Sequence, residues 1–281
     1  MPDKRLRIAV VAPASRISDD IASRVCALAT QLYPQRLAEP CFHPQCFLTS
    51  GHFAGDDAAR SKAFIAVAND ARFDAVWIGR GGYGSCRIAE AVIAQLDAPA
   101  RDKLYMGYSD AGSLLAALYR HGFRVAHGPM PADILRPGGE AAVARALAYL
   151  IERAPSAVEP HVAPGTKAAA FNLTILSQML GTAIEPDLTG HVLMLEEDCE
   201  HMYRIDRFFF HITSNPGIRR VAGIRLGRCS NIPANVPDFA ETEEEVARTW
   251  CTRAGIPYLG RADIGHDIDN KVVPFGEGHG T

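Results

Sequence analysis

The chain has 281 residues, 48% of them apolar and 22% charged, a globular composition with enough apolar residues to exclude disorder and enough length for the core to divide in two. Its 29 basic and 32 acidic residues leave a net charge of −3, which gives no general attraction to nucleic acid or an anionic membrane. Seven cysteines with no C-x-x-C pair argue against a disulfide framework or a structural zinc site and predict reduced thiols in a cytoplasmic protein.

The opening MPDKRLRIAVVAPAS has a short basic lead, and its apolar run is cut by Pro13 before it reaches the length of a secretory segment. No stretch approaches a membrane span. Residues 7–12 read as a buried strand and residues 19–32 as a helix. A helix follows over 57–71, with Phe64, Ile65 and Ala68 on one face, then a short strand over 74–78. After a glycine cluster come a helix over 86–96, a strand over 103–108 and a helix over 110–121. This alternation predicts an α/β layer with a parallel sheet. Near residue 130 the rhythm breaks. Pro129, Pro131, Pro137, Pro155, Pro160 and Pro164 flank a single helical patch at 140–153, which marks a connecting segment. Beyond it, a helix over 173–180, a strand over 191–195 and shorter strand-like runs predict a smaller, mixed, β-rich domain. The expected division is 1–135, a linker 136–164, and 165–281.

MGYSD (106–110) places Ser109 between the end of an apolar strand and the start of an apolar helix. There a serine hydroxyl stands above the sheet, and the N–H of Asp110 opens a helix where it can face an oxyanion. A plain helix cap fits the same residues. GRGGYG (79–84) matches a dinucleotide fingerprint literally, with Asp110 as its acid, but it lies on a late strand and carries Arg80 where a pyrophosphate would sit. It reads equally as a loop donating N–H groups to an oxyanion or a carboxylate, or as an unliganded turn. LMLEED (193–198) ends a strand in three acids; a solvated charge run is the more ordinary reading, and a buried carboxylate orienting an imidazole is the other. Spacing does not single out His266 from the other histidines, His127 and His52 among them.

Taken together, RIAVVAPAS (7–15), HFAGDDAAR (52–60), RGGYGS (80–85), GYSD (107–110), HGPM (127–130), FNLTILSQMLGT (171–182), LEEDCEHMYRIDR (195–207) and GHDIDNKVVPFG (265–276) resemble the LD-carboxypeptidase family of serine peptidases and the related microcin-immunity peptidases. The resemblance implies a triad of Ser109, Glu196 and His266, with oxyanion donors from Gly81 or Gly82 and from Asp110. It further implies a murein tetrapeptide substrate, cut between an L-centre and terminal D-alanine in cell-wall recycling, in a homodimer. No cofactor is expected, and no metal, because His266, Glu196 and Cys199 fall in no H-x-x-x-H or C-x-x-C pattern. Arg80 is the candidate for the substrate's free carboxylate. LEED has one acid more than the usual LED, so Glu197 competes with Glu196; otherwise Glu197 is expected to be a solvated neighbour. Ala170-Phe171 and Ala111-Gly112 also depart from the family pattern. Because His266 must be neutral to accept a proton, kcat/KM is expected to rise through roughly pH 6–7. Three rival readings are a peptidase acting on aminoacyl nucleotides, a nicotinamide-dependent protein using GRGGYG, and a non-enzymatic binding module. The short second half with its single Trp250 argues against the first.

Overall fold

The computed structural model describes residues 6–34 and 38–277; the basic lead at 1–5 lies outside them. In chain order the elements are β1 (Leu6–Val11), α1 (Asp19–Leu32), β2 (Ala38–Phe42), α2 (Asp57–Asn69), β3 (Ala75–Ile78), α3 (Ser85–Ile93), β4 (Leu104–Gly107), α4 (Ala111–Arg120), β5 (Arg124–His127) and α5 (Gly139–Glu152). Then follow β6 (Lys167–Asn172), α6 (Leu173–Met179), β7 (Val192–Asp198), α7 (Met202–Ser214), β8 (Gly223–Ser230), α8 (Glu243–Ala254), β9 (Tyr258–Arg261), β10 (Val273–Pro274) and β11 (Gly276–Glu277).

The first sheet runs β10-β5-β4-β3-β1-β2, parallel throughout except for β10, which is antiparallel to β5. The wholly apolar β3 (AVWI) is buried on both faces, as expected of a parallel strand covered by helices. The second sheet runs β11-β6-β7-β8-β9, parallel but for β11. The predicted α/β class with a parallel first sheet and a mixed second one is therefore found. The chain's last strands tie the halves together, since β10 pairs with β5 and β11 with β6. One buried cluster extends from Val76 and Leu114 to Phe171, Leu195 and Phe209, so the two sheets share a core.

Helix ends follow their sequences. Ser18 caps α1, whose first turn carries Asp19 and Asp20. A Thr242–Glu245 capping box opens α8, and Gly255 closes it in the left-handed conformation. The largest differences from the predicted elements are α7 and α8, two helices of 13 and 12 residues where only shorter strand-like runs were expected. Strand β7 differs at its end: it does not stop at Leu195 but continues through the three acids to Asp198.

Candidate active site

The cleft sits at the carboxyl ends of β3, β4 and β5, where open α/β sheets place their working groups. At the end of β4 the backbone turns sharply, and Ser109 adopts φ 60°, a left-handed conformation that is costly for a side-chain-bearing residue and is retained where the surroundings enforce it. The neighbours make the turn possible. A Cβ on Gly107 would lie 3.0 Å from Ile78 Cβ and 3.1 Å from Ala111 Cβ, so only glycine lets α4 start this close to β3.

The glycine loop after β3 passes directly over the serine. A Cβ on Gly81 would stand 3.0 Å from Ser109 Cβ and 3.1 Å from its Oγ. The Asp110 carboxylate fastens that loop to the turn, accepting the N–H of Gly84 at 3.2 Å and of Ser85 at 2.9 Å at the start of α3. Among the described residues, the N–H groups of Gly81, Gly82 and Asp110 have no protein acceptor. Three backbone donors at the serine are therefore free for a ligand.

The other two residues arrive from the second sheet and from the loop that leads from β9 back to β10 of the first. Glu196, on β7, is fully buried, and its Oε2 lies 2.5 Å from His266 Nδ1. His266 Nε2 is in turn 3.0 Å from Ser109 Oγ. Sequence reasoning named these three residues, and the fold brings them into one hydrogen-bonded line across 157 residues of chain.

His266 depends on supports that sequence reasoning missed. Tyr108 packs its ring 4.9 Å from the imidazole. Asn270 Oδ1 accepts the N–H of Gly265 at 3.2 Å and sits 3.1 Å from His127 Nε2. Arg145, on α5, donates to the carbonyls of Ile268 and Asn270 at 2.7 and 3.1 Å. Arg228, on β8, grips Asp267 and Asp263. Of these, only Asn270 carried a signal in the sequence, through the GH-x-x-x-N spacing; the arginines converge from elements over 35 residues away.

Burial opposes the charge on His266, but the adjacent Glu196 carboxylate, with Asp198 and Glu197 behind it, outweighs burial and lifts the imidazole to about 9. A wholly buried carboxylate in contact with the imidazole favours its protonated form, so the limb is expected above the pH 6–7 that suits an ordinary histidine.

Two further corrections concern LEED. It is not a solvated charge run, because Glu196 and Glu197 are both buried. Nor is Glu197 a solvated neighbour. It accepts from Asn172 Nδ2 at 2.7 Å, Asp198 N at 2.9 Å, Thr174 N at 2.9 Å and Thr174 Oγ1 at 2.8 Å. Its carboxylate, raised above the usual range by burial, fixes the start of α6, where Asn172 is the N-cap. The two glutamates face opposite ways, as alternate strand residues do, and only Glu196 reaches His266.

The cleft in front of Ser109 measures about 300 Å³ and is lined by Arg80, Gly81, Gly82, Tyr108, Arg136 and His266, among others. Arg80 is exposed at its edge. The proline-rich stretch read as the start of the connecting segment supplies one wall, including Met130, Asp133 and Arg136. Among the described residues, no cluster of three or more His, Cys, Asp or Glu is placed to hold a metal ion, and no helix is long and apolar enough to cross a membrane.

The sequence matches the LD-carboxypeptidase N-terminal domain over residues 8–128 and the LD-carboxypeptidase C-terminal domain over residues 167–279. Fold and family together define an α/β peptidase: the chain belongs to the LD-carboxypeptidase family. A Synechocystis protein with a provisional carboxypeptidase name is 32% identical over 233 residues, spanning 80% of this chain and 75% of that one. The murein tetrapeptide carboxypeptidase of Pseudomonas aeruginosa is 26% identical, over 96% of this chain and 91% of its own. Among solved structures, the muramoyltetrapeptide carboxypeptidase of Oxalobacter formigenes superposes with a TM-score of 0.78 at 24% identity, covering 95% of this chain and 93% of that one.

Proposed function

We propose that this chain is a serine LD-carboxypeptidase that releases terminal D-alanine from murein tetrapeptides. The observation that carries the reading is the continuous line from Ser109 through His266 to the buried Glu196. In the proposed reaction, His266 Nε2 takes the hydroxyl proton as Ser109 Oγ attacks the scissile carbonyl. Glu196 holds the imidazole in the tautomer that leaves Nε2 free and stabilises the cation that forms. The free N–H groups of Asp110 and of Gly81 or Gly82 receive the developing oxyanion. His266 then protonates the leaving amine, D-alanine departs, and water, activated by the same histidine, releases the acyl group from Ser109.

A cytoplasmic location, a role in cell-wall recycling and a homodimeric state belong to this proposal. The dinucleotide reading of GRGGYG has little support, because both oxygens of the Asp110 carboxylate already hold backbone N–H groups of the loop itself. A nucleotide-cleaving activity rests on likeness to the microcin C7 self-immunity protein. At 16% identity that likeness carries the fold alone.

The test is release of D-alanine from a purified murein tetrapeptide, followed by mass spectrometry or an amino-acid oxidase assay. Ser109→Ala should lower kcat on the order of 10⁶-fold with the fold unchanged by circular dichroism. Near-normal turnover by that variant would reject the proposed mechanism.

A further inference from the structure

Two guanidinium groups border the cleft at Ser109, those of Arg80 and Arg136. The substrate of a carboxypeptidase ends in a carboxylate one carbon beyond the scissile nitrogen, and a guanidinium is well suited to meet that charge inside the cleft. The two arginines are supported very differently. Arg80 is exposed, and among the described residues its guanidinium makes one long bond, 3.4 Å to the Arg16 carbonyl. Nothing fixes the plane of its fork.

Arg136 is only partly exposed, and its Nε lies 3.0 Å from Asp133 Oδ1. Asp133 is itself buried and held on both oxygens. Its Oδ1 also accepts the Tyr108 hydroxyl at 2.8 Å, and its Oδ2 accepts the Met130 N–H at 2.8 Å. Tyr108 immediately precedes Ser109, and its ring packs on His266. One network therefore orients the guanidinium and braces the imidazole. With Nε engaged on Asp133, donors on the terminal nitrogens remain for a ligand, in a planar fork that fits a carboxylate. The neutral donors of Tyr108 and Met130 share the Asp133 carboxylate with Arg136, so Asp133 engages the guanidinium through Nε alone and leaves its terminal nitrogens open to a second carboxylate.

We propose that Arg136, positioned by Asp133 and Tyr108, binds the terminal carboxylate of the leaving D-amino acid and makes the cleft specific for free chain ends. The assignment rests on the peptidase reading above.

The experiment compares a murein tetrapeptide with its C-terminal amide, in the wild type and in Arg136→Gln, Arg136→Lys and Arg80→Gln. Losing a charge-assisted contact of this kind costs about 10- to 100-fold. The wild type should therefore prefer the acid over the amide by roughly that factor in kcat/KM. Arg136→Gln should bring the ratio close to one by losing activity on the acid alone, Arg136→Lys should keep part of it, and Arg80→Gln should leave it intact. A purely structural role would depress both substrates together and preserve the ratio. Labelling of Ser109 by a fluorophosphonate reports separately that each variant is folded with a reactive serine. Were Arg136→Gln misfolded, Arg136→Lys would carry the test. A preserved ratio in the Arg136 variants, a collapse in Arg80→Gln, or a wild type indifferent to amidation would each overturn the assignment. If the wild type labels with fluorophosphonate but cleaves neither peptide, the murein reading has failed, and this assignment falls with it.

Discussion

The two halves of the site are built by different means. The serine half is local. Gly79 to Ala111 holds the glycine loop, the strained turn and the free N–H groups, joined by one carboxylate, Asp110, and by close backbone packing. The acid–base half is assembled from afar. Glu196 and His266 are 70 residues apart, and the histidine loop, braced internally by Asn270, is clamped by Arg145 and Arg228 from separate elements. Geometry in the first half comes from backbone conformation and the absence of side chains. In the second it comes from buried charge. Errors should therefore have different signatures: steric in one half, electrostatic in the other.

The sharpest way to break the electrostatic half is Glu196→Gln. The amide keeps the shape but removes the charge that selects the imidazole tautomer, and kcat should fall on the order of 10⁴-fold, as for the amide replacement of the triad acid in trypsin-type enzymes. The pH profile gives an independent readout with a definite sign. Catalysis needs neutral His266, and Glu196 holds its proton to about 9, so wild-type kcat/KM should climb with pH through the alkaline range. Without the carboxylate the limb should drop towards the ordinary histidine value of about 6.5, leaving a low, flat profile above neutrality. A wild-type limb at 6–7 that does not move in the variant would detach Glu196 from His266.

The steric half is tested by Gly81→Ala. Gly81 does not have a positive φ, so the backbone tolerates alanine, and the effect comes from crowding. The new methyl would sit 3.1 Å from Ser109 Oγ, displacing the hydroxyl from its 3.0 Å contact with His266 and intruding where the substrate carbonyl must turn. Loss of one oxyanion donor costs about 10²–10³ in kcat, and a displaced donor with a displaced nucleophile should reach at least the lower figure. Thermal stability should barely change, and the pH limb should stay where it is. A shifted limb would mean that the halves are not separable.

The same division explains what could be read in the sequence. The parallel first sheet was legible because apolar strands alternate with amphipathic helices at short spacing, and Ser109 was visible at a strand–helix junction in GYSD. Glu196 and His266 have no local signature. Their positions followed from family resemblance, since no periodicity reveals that LEED enters the core or that a loop residue 70 positions on will meet it. Pattern suggested a solvated acidic run because consecutive acids are seldom buried, and here the first two are buried, with the donors of Asn172 and Thr174 and the imidazole of His266 making that burial affordable. Arg136 was obscured in the same way. Proline-rich sequence signals a connection, and the contact of Asp133 with Tyr108 closes only in three dimensions.

The smallest catalytic effect is expected where the two acids of LEED are compared directly. Glu197 is buried like Glu196, and from sequence it competed for the same role, but its four hydrogen bonds all run to the start of α6 and to the next residue of its own strand. Every one of those partners is a donor. Glu197→Gln would turn an amide NH₂ towards at least one of them, leaving a buried donor–donor clash in place of an accepted bond. That should cost about 1–3 kcal/mol of stability, seen as a lower midpoint in urea with an unchanged slope. The catalytic line does not pass through Glu197, so kcat measured well below the unfolding transition should stay within a few-fold of the wild type, and the alkaline limb should move only slightly, since Glu197 is among the lesser contributors to the His266 proton affinity. A stable variant with kcat down by several orders of magnitude would show that Glu197, and not Glu196, orients the histidine.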